Sequence, residues 1–110
     1  MRDREEGKSA TMARNRIEVV FTKAIERYGK EAQKMKAIEE LGELVQAVAR
    51  DLEGHPDPEN IAEEMADVSI MLDQLQEIYQ NAETVELIRK LKARRLLYRM
   101  RAEKGRDDGL

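Results

Sequence analysis

Four acidic side chains form two matched pairs, Glu40 with Glu43 and Glu64 with Asp67, each spaced i, i+3 within a stretch of helical periodicity. That spacing sets both carboxylates of a pair on one helix face, about 5–6 Å apart at Cβ, close enough to share a cation. Their neighbours make them unusual. Glu64 is in step with Val68, Met71, Leu75 and Ile78 along one seam, and Asp67 lies beside it, four residues before Met71. On the preceding segment Glu40 interrupts the line Ala37, Leu44, Ala47, with Glu43 one turn away at its edge. A charge in an apolar seam is costly unless something compensates it. Hard divalent cations favour such oxygen donors, and magnesium commonly keeps waters and substrate phosphates as its other ligands. Mg2+ is therefore the implied metal, with Mn2+ as a substitute.

Other chemistries are thinly provided for. The chain has no cysteine, which excludes a disulfide framework, a thiolate metal site and a cysteine nucleophile. Its single histidine, His55, lies in a Gly-His-Pro loop, so the Glu-x-x-His motifs of di-iron bundles and a histidine general base are both missing. A metal-activated water is the remaining nucleophile. Either carboxylate pair alone would read as a solvated helix face. The weight rests on two pairs, on consecutive helices, on or beside apolar lines. Lys92, Arg95 and Arg99 read equally as phosphate ligands or as a solvent face with salt bridges. Met65 and Met71 read as core; Tyr28 and Tyr79, at apolar spacing, read as packing residues with base stacking as the alternative, and His55 as a loop surface residue.

Four helices must position these groups. Ile17, Val20, Phe21, Ala24, Ile25 and Tyr28 recur at helical spacing up to a stop at Gly29. A second helix carries Ile38, Leu41, Val45, Val48 and Leu52 as its main stripe, until Gly54, Pro56 and Pro58 break it. Asp57 or Asn60 caps a third, running from Ile61 to Tyr79, and a turn at Asn81 leads to a fourth with Val85, Ile88, Leu91, Leu96, Leu97 and Met100 and one basic face. The expected division is a flexible segment 1–13, one helical domain 14–103 and a flexible tail 104–110.

Composition agrees with an all-α fold: 39% of residues are charged, 4% aromatic, and there is no tryptophan. At 110 residues the chain buries a modest share of its surface, so the core is expected to be completed by a partner. The net charge of −3 comes from interleaved acids and bases, which argues against a nucleic acid polymer or an anionic membrane as partner. No apolar run approaches a membrane span, and residues 1–6 lack a signal peptide's apolar region, so a soluble cytoplasmic protein is expected.

Lys36 to Arg50, read as Glu39-Glu40-x-x-Glu43, followed by Ile61 to Val68, read as Glu64-x-x-Asp67, resembles the E-E-x-x-E and E-x-x-D signature of the MazG-like all-α nucleoside triphosphate pyrophosphohydrolases. A weaker likeness, in Lys92-x-x-Arg95 and Arg99, extends it to about Met100. The resemblance implies a four-helix MazG-like bundle whose core and site are completed by a homodimer or homotetramer. It implies Mg2+-dependent hydrolysis of a (deoxy)nucleoside triphosphate to the monophosphate and pyrophosphate. Glu40, Glu43, Glu64 and Asp67 would be metal ligands and Glu39 a supporting acid. Lys36, Lys92, Arg95 and Arg99 would bind the phosphates. Two alternatives remain open: hydrolysis of a related pyrophosphate compound such as phosphoribosyl-ATP, or a non-enzymatic helical oligomerisation or adaptor domain.

Overall fold

A computed structural model describes residues 16–108, and the expected N-terminal segment 1–13 lies outside them. The described chain is helical almost throughout: α1 covers residues 16–28, α2 Lys30–Leu52, α3 Pro58–Tyr79 and α4 Ala82–Asp108, with no strand among them.

The breaks follow from local chemistry. Gly29 alone separates α1 from α2, at φ 91° and ψ 154°, a conformation that a side chain would strain. Helix α2 ends in a Schellman motif. The amide of Gly54, at φ 90°, donates to the Asp51 carbonyl (3.1 Å) and that of His55 to the Arg50 carbonyl (2.9 Å). Asp57, rather than Asn60, then caps α3: its Oδ1 accepts from the Asn60 amide at 3.1 Å and its carbonyl from the Ile61 amide at 3.0 Å. Pro58 follows at the first helical position, where its missing N–H costs nothing. Gln80, at φ 54°, closes α3, and the Asn81 carbonyl accepts the first bond of α4 from Val85.

The chain divides into two compact units after Tyr79. In the first, α2 and α3 pack along their length. Gln33, Ala37, Glu40 and Ala47 are buried on α2, and Val68, Met71 and Gln74 on α3. Phe21 and Ile25 of α1 are buried as well, and the Thr22 hydroxyl donates to Glu77 Oε1 of α3 at 2.6 Å.

The main apolar stripe of α2 faces outward: Ile38, Val45 and Leu52 are 71%, 69% and 84% exposed, and Leu41 and Val48 are exposed too. The adjacent line, with Ala37 and Ala47, meets α3 instead. Small residues let two helix backbones approach closely, and Gln33 and Gln74 add a cross-helix hydrogen bond of 2.7 Å on that line. Met65, expected in the core, is 58% exposed.

The second unit consists of α4. All of its described side chains are exposed, apolar ones such as Leu87 and Tyr98 included. Apolar and polar residues are not segregated around it, so the single basic face expected there is not a distinct face. The helix continues to Asp108, through most of the stretch expected as a tail.

Gly29→Ala is expected to destabilise the fold by about 1–3 kcal/mol, because no neighbour lies near the added carbon and the penalty is one of backbone conformation. Gly42→Ala, within α2 and also in open space, is expected to stabilise by up to about 1 kcal/mol. Thermal denaturation of the two variants checks the opposite signs.

Candidate functional site

The antiparallel pairing of α2 and α3 brings the two carboxylate pairs together. Gln33 faces Gln74, and counting forward on one helix and back on the other sets Glu40 across from Asp67 and Glu43 across from Glu64. Oxygens of Glu40, Glu43 and Glu64 lie within 4.8 Å of one another.

Glu40 is the most deeply placed, 6% exposed. Its Oε1 receives the Lys36 ammonium at 3.2 Å, while its Oε2 is buried with no hydrogen-bond partner. Glu64 Oε2 is buried and unpartnered in the same way. Glu43 is more exposed than Glu40 and faces Glu64. The Glu64 carboxyl is held above the ordinary range, first by burial, then by its hydrogen bond with Glu43, then by the charges of Glu43, Glu40 and Asp67. Lys36 is raised in turn, through its hydrogen bond to Glu40 and the charges of Glu39 and Glu40.

Chemically, the cluster is an oxygen-rich cage with too little positive charge. Two buried oxygens lacking any donor, next to a third carboxylate, are the arrangement a hard cation satisfies with several bonds at once. The residues therefore fit a divalent metal. Asp67 is exposed and stands outside the tight group of three oxygens, but with Glu40 it lines the adjoining cavity. Glu39 is turned away: its side chain is 58% exposed and 3.7 Å from Lys36.

That cavity, of about 430 Å³, runs from the acids toward the start of α2, between Lys36 and Glu40 on one helix and Asp67, Ile70 and Met71 on the other. Tyr28, Gln33 and Gln74 complete its wall. Tyr28 was expected as packing, yet it is 62% exposed, with the Arg27 guanidinium 5.8 Å from its ring centroid. Tyr79 is exposed likewise, under the Lys34 ammonium at 4.7 Å. His55 is exposed in the loop and Met71 is buried, as expected. Lys92, Arg95 and Arg99 are exposed on α4, where Lys92 lines a shallow depression with Val85, Ile88 and Arg89.

Gln33 and Gln74 were missed by the sequence reading. Both extend the buried lines that carry the acids, Gln33 four residues before Ala37 and Gln74 three after Met71. The test that exposed Glu40 and Glu64, a polar residue on a packed line, finds these amides when it is widened beyond ionisable groups.

No protein family, curated protein or solved structure matches the chain.

The raised Glu64 carboxyl gives a signed pH dependence. Between the ordinary carboxylate range and Glu64's own pKa, the metal-free folded state binds more protons than the unfolded state, so this group's contribution to stability falls as pH rises. Glu64→Gln cannot ionise and escapes that loss. Without metal it is expected to be more stable than wild type at neutral pH, with the advantage shrinking toward about pH 4. Saturating Mg2+ or Mn2+ should reverse the order at neutral pH. Melting curves at a series of pH values, in chelator and in metal, measure both; a pH-independent difference would mean that Glu64 titrates as an ordinary surface acid.

Proposed function

We propose that this chain is a magnesium-dependent hydrolase that cleaves a nucleoside triphosphate between its α and β phosphates, releasing the monophosphate and pyrophosphate. The observation that carries the reading is the trio Glu40, Glu43 and Glu64, with oxygens within 4.8 Å and two of those carboxylates each holding a buried, unpartnered oxygen. A structural salt-bridge network would have cations at those oxygens, and only Lys36 is paired with this trio among the described residues.

Glu40, Glu43 and Glu64 would hold the metal, with Asp67 reaching it from the cavity edge. A bound divalent cation supplies charge neutralisation to the phosphates and lowers the pKa of a coordinated water. Water adds to phosphorus, the bond to the bridging oxygen breaks, and the leaving pyrophosphate departs as a proton is released. Lys36, at the boundary between acids and cavity, exchanges its Glu40 contact for a phosphate oxygen. Glu39, paired to Lys36, keeps that ammonium in place and charged. The assignment of Lys92, Arg95 and Arg99 to the pyrophosphate rests on the motif resemblance alone.

The reading includes a homo-oligomer. The outward stripe Ile38, Leu41, Val45, Val48 and Leu52 has the periodicity of a helix–helix seam, and covering it with the same stripe of a second copy removes it from water. No helix of the described residues is long and apolar enough to cross a membrane. The stripe equally suits an adaptor that docks another helix, and the acids distinguish the two: an adaptor has no use for a carboxylate cage.

Pyrophosphate release from a panel of ribo- and deoxynucleoside triphosphates, in magnesium and in chelator, tests the activity. Glu40→Gln and Glu64→Gln are expected to lower turnover by more than about a hundredfold while the circular dichroism of the helices is retained. Full activity in either variant would remove that residue from the mechanism. Separately, light scattering is expected to give the wild-type mass as a multiple of the 12.7 kDa chain and that of Val45→Glu as the monomer. A monomeric wild type would remove the homo-oligomer from the reading.

A further inference from the structure

The cavity beside the acids contains a hydrogen-bonding group that the metal reading does not use. Gln33 Nε2 donates to Gln74 Oε1 at 2.7 Å, and both residues are buried. The bond consumes one donor and one acceptor. Gln33 Oε1 and Gln74 Nε2 are not part of that bond, and both residues line the wall of the cavity. An adjacent acceptor and donor held in place by a bond between them is the complement of a flat ring edge bearing a donor next to an acceptor. Every nucleobase has such an edge. If both amides turn over together their mutual bond is kept and the order of acceptor and donor reverses, so the pair accepts either order.

The surroundings agree with that use. Tyr28 offers an exposed aromatic face on the same cavity, and Ile70 and Met71 offer apolar surface. At the other end stand Lys36 and Glu40, the phosphate and metal end under the proposed function. Gln33 and Glu40 are separated by about 10 Å of helix, which leaves room for a pentose between base and phosphate.

Resting on the pyrophosphohydrolase reading of the acids, we propose that this cavity is the nucleobase subsite, in which Gln33 and Gln74 hydrogen-bond the base edge and Tyr28 covers its face. The pair distinguishes a nucleoside triphosphate from a bare polyphosphate, and the walls around it, rather than the amides, discriminate among bases.

Binding of non-hydrolysable α,β-methylene nucleoside triphosphates and of inorganic tripolyphosphate, by calorimetry in magnesium, tests this on the full chain. Wild type is expected to bind at least one nucleotide analogue about ten- to a hundredfold tighter than tripolyphosphate. Gln33→Leu with Gln74→Leu replaces the bonded pair by apolar side chains of similar length, and should erase that preference while leaving tripolyphosphate binding unchanged. Tyr28→Ala, at an exposed position that does not threaten folding, should weaken the analogue severalfold and tripolyphosphate not at all. Equal binding of the two probes by wild type, or a preference that survives in both variants, overturns the base subsite and leaves the metal reading standing. Failure of both probes to bind wild type in magnesium overturns the metal reading and the subsite with it.

Discussion

The structure depends on carboxylates held in the seam of a single helix pair. Glu40 and Glu64 each leave an oxygen buried without a partner between α2 and α3, which pack along their length. Burying such groups opposes folding unless a proton or a cation answers the charge. Lys36 answers part of it, and Glu64 takes up a proton more readily than an ordinary carboxyl. The association of α2 with α3 is therefore tied to how that charge is answered, and a cation bound there would share one free energy with folding. This is the reverse of an ordinary helical hairpin, whose seam is apolar and indifferent to ions.

The second consequence concerns the apolar residues. With Ala37, Ala47, Gln33 and Glu40 turned toward α3, the larger side chains of α2 have no place in the hairpin and lie on its outer surface. No large side chain in the described chain is fully buried. Hydrophobic stabilisation scales with the area removed from water, so the described chain leaves much of its apolar surface without that contribution.

Much of this was legible in the sequence, and what was not has a definite physical cause. Helical periodicity located α2 and α3, and Gly29, Gly54 and Pro58 marked their limits because each requires, or permits, a backbone conformation other residues resist. Glu40 and Glu64 stood out as charges on apolar lines with Glu43 and Asp67 beside them, and the structure groups oxygens of Glu40, Glu43 and Glu64 while Asp67 stands outside that group. Periodicity, however, identifies the faces of a helix and not which face meets which neighbour. The bulky stripe of α2 was the natural choice for the core, and the neighbouring alanine line won because close backbone approach and the Gln33–Gln74 bond outweigh bulk there. Asp57 prevailed over Asn60 as the cap because Pro58 suits the position immediately after the cap. For α4, sequence gave a helix and a set of cations, but no periodic division to orient them.

The amide bond and the carboxylate cage are two readings of one register. Gln33 meets Gln74 at one end of the hairpin, and the same antiparallel count places Glu43 against Glu64 further along. A shift of α3 by one turn would cost the amide bond and leave both glutamines buried with unmet hydrogen-bonding groups. It would also separate Glu64 from Glu43. The uncharged pair and the charged trio thus belong to one register, which the buried apolar side chains of the seam, Ala37, Ala47, Val68 and Met71, hold as well.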